Sequence, residues 1–136
     1  MKPVLETKFE YKGYPCVVLF MPRAYRCGYV GIPNSHKLAK KSVDDLDYLD
    51  CHGGVTYSEP FLHDCDDDDI WWIGFDCAHC FDGYDIETAE QYFGEEPGFK
   101  ICSGSAASLL KCTNVTVRNA AVWFVFTKLL QVSKEQ

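Results

Sequence analysis

No stretch of this chain is apolar for long enough to cross a bilayer as a helix. The longest uninterrupted apolar run near the C-terminus, Ala120 to Phe126, is seven residues, against about 20 for a spanning helix. The first residues lack the apolar core of a secretory leader, because Lys8, Glu10 and Lys12 interrupt them. Cysteine is plentiful but not dense. Eight in 136 residues falls below the roughly 8–10% usual in short secreted disulfide frameworks. The expectation is a cytoplasmic domain with reduced thiols, some of them available to a metal. Basic residues are missing from the middle: 44–96 hold seventeen Asp and Glu and neither Lys nor Arg. Residues 1–43, by contrast, carry eight Lys and Arg against two Glu, and 97–136 carry five against one. An acidic middle of this kind folds beside its basic flanks, holds a cation or docks on a basic partner. A calculated pI near 4.9 argues against direct nucleic-acid binding through a basic footprint.

What is present reads as alternating short strands. Val4 to Tyr11 mixes apolar and polar positions, Lys12-Gly13 supplies a turn, and Pro15 to Phe20 runs apolar. That pattern predicts a β-hairpin with the second strand more buried. Arg26 to Ile32 is a third strand, stopped by Pro33. Asn34 to Asp50 is polar, a loop with a short helical piece anchored by Leu38, Val43 and Leu46. Gly53-Gly54 opens a short strand, Val55-Thr56-Tyr57, ended by Pro60. Ile70 to Phe75 is continuously apolar, as suits a central strand covered on both faces. Thr88 to Phe93 is a short helix and Gly98 to Ser108 a loop. Thr113 or Asn114 caps a helix to about Val132, whose valines leave a strand open as the alternative. No repeat or linker divides the chain, so 1–136 is one domain. The fold class is α+β: a mostly antiparallel sheet covered by a C-terminal helix.

All four histidines fall between positions 36 and 79, and three lie within two residues of a cysteine beside predicted strands, where a sheet fixes a group and a loop exposes it. His63-x-Cys65 and Cys77-x-x-Cys80 offer two ligand pairs at zinc-like spacing. His52, Asp76 and His79 offer a catalytic metal set with an open position for water, or an acid/base pair without a metal. Cys77 or Cys27 beside a histidine is a candidate thiolate, and Cys77 with Cys80 a weaker redox pair. The same loops also suit plain binding. Amides of Gly53 and Gly54 attract phosphate oxygens, flanked by Thr56 and Tyr57. Trp71, Trp72, Tyr57 and Phe75 stack on a base or, more simply, fill the core. Arg23, Arg26, Lys37, Lys40 and Lys41 neutralise phosphates or form a solvated basic face. The sequon Asn114-Val115-Thr116 carries little weight without a leader.

Three blocks in succession are specific: Cys27-Gly28-Tyr29-Val30-Gly31-Ile32-Pro33 followed by His36, then His52-Gly53-Gly54-Val55-Thr56-Tyr57, then Trp71-Trp72-Ile73-Gly74-Phe75-Asp76-Cys77-Ala78-His79. Over roughly residues 23–82 the chain resembles a family of short proteins found in bacteriophages, prophages and some bacteria, with no activity attached. That family usually has Ala at the position of Cys80 and Gly at that of Phe81. This chain departs where the zinc pairing needs its second thiol, and weight moves to His36, His52, Asp76 and His79. By analogy with small phage accessory proteins that counter host immunity, the resemblance implies a role in the host cytoplasm.

The first expectation is a pocket for a nucleotide-like molecule, formed by His36, His52, His79, Gly53, Gly54, Thr56, Tyr57 and Arg26. The alternative is a hydrolase that cleaves a phosphodiester or related bond in that pocket, with His52, His79 and Asp76 catalytic and zinc as the metal if one is used. A third is an acidic protein whose 44–96 block occupies a basic groove on a host factor. The pocket could also form between two copies in a homo-oligomer.

Overall fold

The computed structural model describes residues 2–49, 51, 53–77, 82–83, 85–94, 110–111 and 114–124. Its first hairpin joins β1 (Val4–Tyr11) to β2 (Tyr14–Phe20) through Lys12 and Gly13. Both turn residues have positive φ, 53° and 86°, the hand that matches the twist of the flanking strands. The next hairpin leads from β2 to β3 (Arg26–Pro33). There Met21 N–H donates to Tyr25 O, Ala24 N–H donates to Met21 O, and Ala24 takes a φ of 70°. A single 3-10 turn, Asp44–Leu46, precedes β4 (Tyr57–Glu59) and β5 (Ile70–Asp76). These strands form one antiparallel sheet in the order β1-β2-β3-β5-β4. Beyond it lie β6 (Asp82–Gly83), paired in parallel with β7 (Leu110–Lys111), and the helices α1 (Ile86–Phe93) and α2 (Asn114–Phe124). The protein is α+β with the sheet predominating.

Two expectations about strands change. The Trp-rich β5 is buried on both faces, but it lies fourth; the middle strand is β3, buried from Arg26 to Ile32. The short strand begins at Tyr57 rather than Val55. Positive φ at Gly53 and Gly54 delays the chain's entry into the ladder, and Val55 turns its side chain into the core instead. The helical piece in 34–50 is anchored by Leu38, Leu46 and Leu49, with Val43 only half-buried. The loop 98–108 and the helix beyond Phe124 lie outside the described residues.

Strand alternation splits the apolar side chains between two faces. One gathers Cys16, Val18, Val30, Ile32, Ile73, Phe75 and Cys77 with Leu38, Leu46, Val55, and Val117 and Ala121 of α2. The other gathers Val17, Leu19, Cys27, Tyr29 and Trp72 under Leu62 and Cys65. A third, smaller cluster joins Phe20 and Ala24 to Ala89 of α1.

The β3–β5 seam is an interlock. Gly28 stands opposite Phe75, Tyr29 opposite Gly74, and Gly31 opposite Trp72. A Cβ on Gly28 would lie 2.4 Å from Phe75 Cζ, and one on Gly74 2.3 Å from Tyr29 Cδ1. On Gly31 it would lie 3.1 Å from Trp72 Cζ3. Gly28 and Gly74 are the spaces that their partners' rings occupy, while the room at Gly31 is taken first by Ile70 Cγ2 at 2.6 Å and Pro15 Cγ at 2.8 Å; along this seam sheet pairing and side-chain burial are one event.

Candidate functional site

Antiparallel pairing fixes which functional residues share an end of the sheet. Cys27 stands opposite Asp76 at the start of β3 and the end of β5. Tyr57 pairs with Gly74, and Thr56 N–H donates to Gly74 O. The residues before Thr56 therefore run toward the Asp76 end. They form a turn closed by Gly54 N–H to Cys51 O at 3.0 Å, with φ of 68° at Gly53 and 88° at Gly54. The position a Cβ would take on Gly54 meets nothing within 4 Å among the described residues, which leave one side of this backbone open. Thr56 is exposed and Tyr57 half-buried, its hydroxyl donating to Phe61 O. Asp76, Gly53, Gly54, Thr56 and Tyr57 thus lie along neighbouring chain segments at one end of the sheet. His52 and His79, which flank this end in sequence, lie outside the described residues, as does Cys80.

His36 lies elsewhere. It follows the far end of β3, its N–H donating to Pro33 O, and its ring meets Tyr14 edge-on. Six steps of about 3.3 Å along β3 separate it from the Cys27–Asp76 pair by about 20 Å. Its Nδ1 accepts from Leu38 N–H at 3.1 Å, which places the proton on Nε2, a buried atom with no partner among the described residues. Burial holds the His36 pKa below the ordinary imidazole value.

Arg26 is near Asp76 by strand position, but its side chain is turned inward and only 5% of the residue is exposed. Its guanidinium donates to Glu6 Oε1 at 2.6 Å and Oε2 at 3.2 Å, and to Asp85 Oδ2 at 2.9 Å. It also lies over the Phe20 ring at 4.9 Å. The cation is committed to the protein's own carboxylates. Of the aromatic candidates, Trp72 is 1% exposed and Phe75 3%, which makes both core residues. Trp72 Nε1 is buried with no partner among the described residues. Trp71 donates from Nε1 to Ser58 Oγ, which in turn donates to Lys41 O, tying the 34–49 loop to β4.

The cysteines bear directly on two expectations. Cys65 packs with Trp72 on one face and Cys77 with Phe75 on the other, so the sheet itself keeps them from sharing a tetrahedral zinc. His63 Nε2 sits 3.2 Å from Asp64 Oδ2 instead. Among the described residues no three His, Cys, Asp or Glu side chains converge as a metal site, and Cys16, Cys27 and Cys65 are free thiols. Burial, with Asp76 nearby, pushes the Cys27 thiol up to about 12 despite a hydrogen bond with Tyr29, so it is not an activated thiolate.

Sequence reasoning missed the cluster of Glu6, Asp85 and Tyr92 around Arg26. One signal was readable: Asp85 three residues before Thr88 is a helix-cap spacing, and Asp85 accepts from both Thr88 N–H and Thr88 Oγ1. Nothing local marks Glu6 as its partner across 20 positions. Compared with family models, with curated proteins and with solved structures, the chain matches none. Among the described residues no helix is long and apolar enough to cross a membrane.

Proposed function

We propose that this protein is a binding module for a small nucleotide-like molecule. The ligand sits at the Asp76 end of the sheet against the Cys51–Gly54 turn, with His52 and His79 supplying polar contacts. The observation that supports this is the open turn itself: two successive glycines with positive φ, beside Asp76 on a rigid strand pair. The Gly54 N–H is spent on Cys51 O, so, against the sequence expectation, the turn leaves the Gly53 amide rather than both as an anion donor. The C-terminal helix covers one face of the sheet through Val117 and Ala121, the face that also holds Val55 and Cys77, and the chain acts as a phage-type accessory protein in its host's cytoplasm. Arg26 and His36 are left out of the site, the first because it is engaged with Glu6 and Asp85, the second because it lies at the other end of β3.

Calorimetry against a panel of nucleoside monophosphates, diphosphates and cyclic dinucleotides tests the reading. A saturable heat that disappears in the His52→Ala, His79→Ala double variant is the expected result. Full binding by that variant, with the fold intact by circular dichroism, removes the pocket from consideration. Turnover of a bound nucleotide would move the reading to the hydrolase. A second reading has its own support: Asp64 and Asp66 to Asp69 are all exposed, as are Tyr48 and Phe61, a surface suited to a basic protein partner. Replacing Asp66 to Asp69 by Asn would abolish that activity and leave nucleotide binding unchanged.

A further inference from the structure

The helix α1 touches the rest of the molecule in an unusual way. Its one buried side chain is Ala89, which with half-buried Phe93 meets Phe20, Ala24 and Val4 in a cluster separate from both faces of the main core. Ile86 and Tyr92 remain exposed. Tyr92 and Phe93 meet the Phe20 ring with centroids 5.3 and 6.1 Å away, and a polar attachment joins these contacts: Asp85 and Tyr92 bracket the helix and both reach the Glu6–Arg26 pair, Tyr92 donating to Glu6 Oε2 at 2.8 Å. Asp85 N–H also donates to Ala24 O, one residue pair from where Cys77 N–H donates to Arg26 O.

We propose that α1 is a strap, clasped to the sheet by Arg26 between Glu6 and Asp85, that releases as a unit while the five-stranded sheet stays folded. Small apolar burial makes the undocked state accessible, and the clasp sets how often it is visited. The strap attaches through Arg26, next to the Cys27–Asp76 pair; the inference stands whether or not that end binds a nucleotide. Among the described residues the charged and titratable groups facing the clasp are Glu6 from β1, Arg26 from β3, and Asp85 and Tyr92 from α1 and its cap.

Native-state hydrogen exchange on the full chain at pH 7 tests this, reading α1 against β2 and β3. Asp85→Asn keeps an N-cap but removes the charge, and Tyr92→Phe removes one hydroxyl. The strap predicts that α1 protection falls at least tenfold in Asp85→Asn and less in Tyr92→Phe, with β2 and β3 protection unchanged within twofold. Loss of protection in α1 and the sheet together would overturn it, as would unchanged α1 protection in both variants. Both results are independent of ligand, so they separate this inference from the binding reading.

Discussion

The β3–β5 seam and the α1 junction hold by opposite means. At the seam, Gly28 and Gly74 leave room for the rings of Phe75 and Tyr29, and the attachment is one of shape. At the junction, one guanidinium sits between two carboxylates over a thin apolar cluster, and the attachment is one of charge. Close packing is local and intolerant of added volume. A buried ion cluster is intolerant of losing one member but tolerant of losing all of them, because its attraction and its desolvation cost nearly cancel. The two regions therefore answer differently to the same kind of substitution.

The largest expected effect comes from leaving the junction's carboxylates without their cation. Arg26→Met destabilises by about 3–5 kcal/mol, measured as the denaturant midpoint. The triple variant Glu6→Gln, Arg26→Met, Asp85→Asn recovers most of that loss. If the triple variant is as unstable as the single one, packing rather than charge holds the junction. At the seam, Gly28→Ala costs about 1–3 kcal/mol, since the added methyl meets Phe75 Cζ at 2.4 Å and Val117 Cγ1 at 2.9 Å. Here relief must come from the ring. Phe75→Leu in the Gly28→Ala background should cost less than in the wild type, with a coupling of about 0.5–3 kcal/mol. Additive losses would show that ring and glycine do not share the space.

These two regions also differ in how far they can be read from the chain. The hairpin at Lys12-Gly13, the end of β3 near Pro33 and the strand at Ile70 carry local signals of turn chemistry and unbroken apolarity, and each forms where those signals place it. The seam was half legible. Trp71, Trp72 and Phe75 read equally as base-stacking or core residues, and the glycines of Cys27 to Pro33 and at Gly74 carry no local sign of which rings they face. Only the register, which no local pattern states, assigns them to packing. The junction was illegible because Glu6, Arg26 and Asp85 are far apart in sequence and each is an ordinary surface residue type. The same is true of the site. Spacing alone grouped His63, Cys65 and Cys77 at one metal, whereas the period of two along β5 sends Cys77 to the face opposite Cys65. Arg26 and His36 looked like ligand groups for their chemistry, and burial or position redirects both.

The ends of β3 give a smaller, pH-dependent contrast. His36 is neutral in the folded protein because burial opposes its protonation, so its folded pKa lies below 6.5. The unfolded chain takes up the proton first. Stability is therefore complete above about pH 6.5 and declines as the pH falls through the folded value. Asp85 acts lower on the scale: burial raises its pKa, but hydrogen bonds from Thr88 and Arg26 outweigh this and hold it below the ordinary carboxyl value of 3.8. Its contribution is present above about pH 3.8 and lost as the pH falls through the folded value. Unfolding curves between pH 7 and 5 should slope downward in the wild type and flatten in His36→Asn. Identical slopes would assign the loss to other groups.

The smallest effect separates strain from packing at the two hairpins. Lys12 and Ala24 both take a positive φ, 53° and 70°, a conformation that favours Gly or Asn over residues with larger side chains. Lys12 is exposed, and its ammonium stands 6.0 Å from the Tyr11 ring, too far for much attraction. Lys12→Asn relieves the strain with little lost and should stabilise by about 0.5–1 kcal/mol. Ala24 is fully buried between Phe20 and Ala89. Ala24→Gly relieves a similar strain but removes a buried methyl worth about 0.8 kcal/mol, so the two terms offset and the midpoint should scarcely move. A gain at Ala24 equal to that at Lys12 would mean that the methyl contributes nothing, and that the cluster beneath α1 is looser than its burial implies.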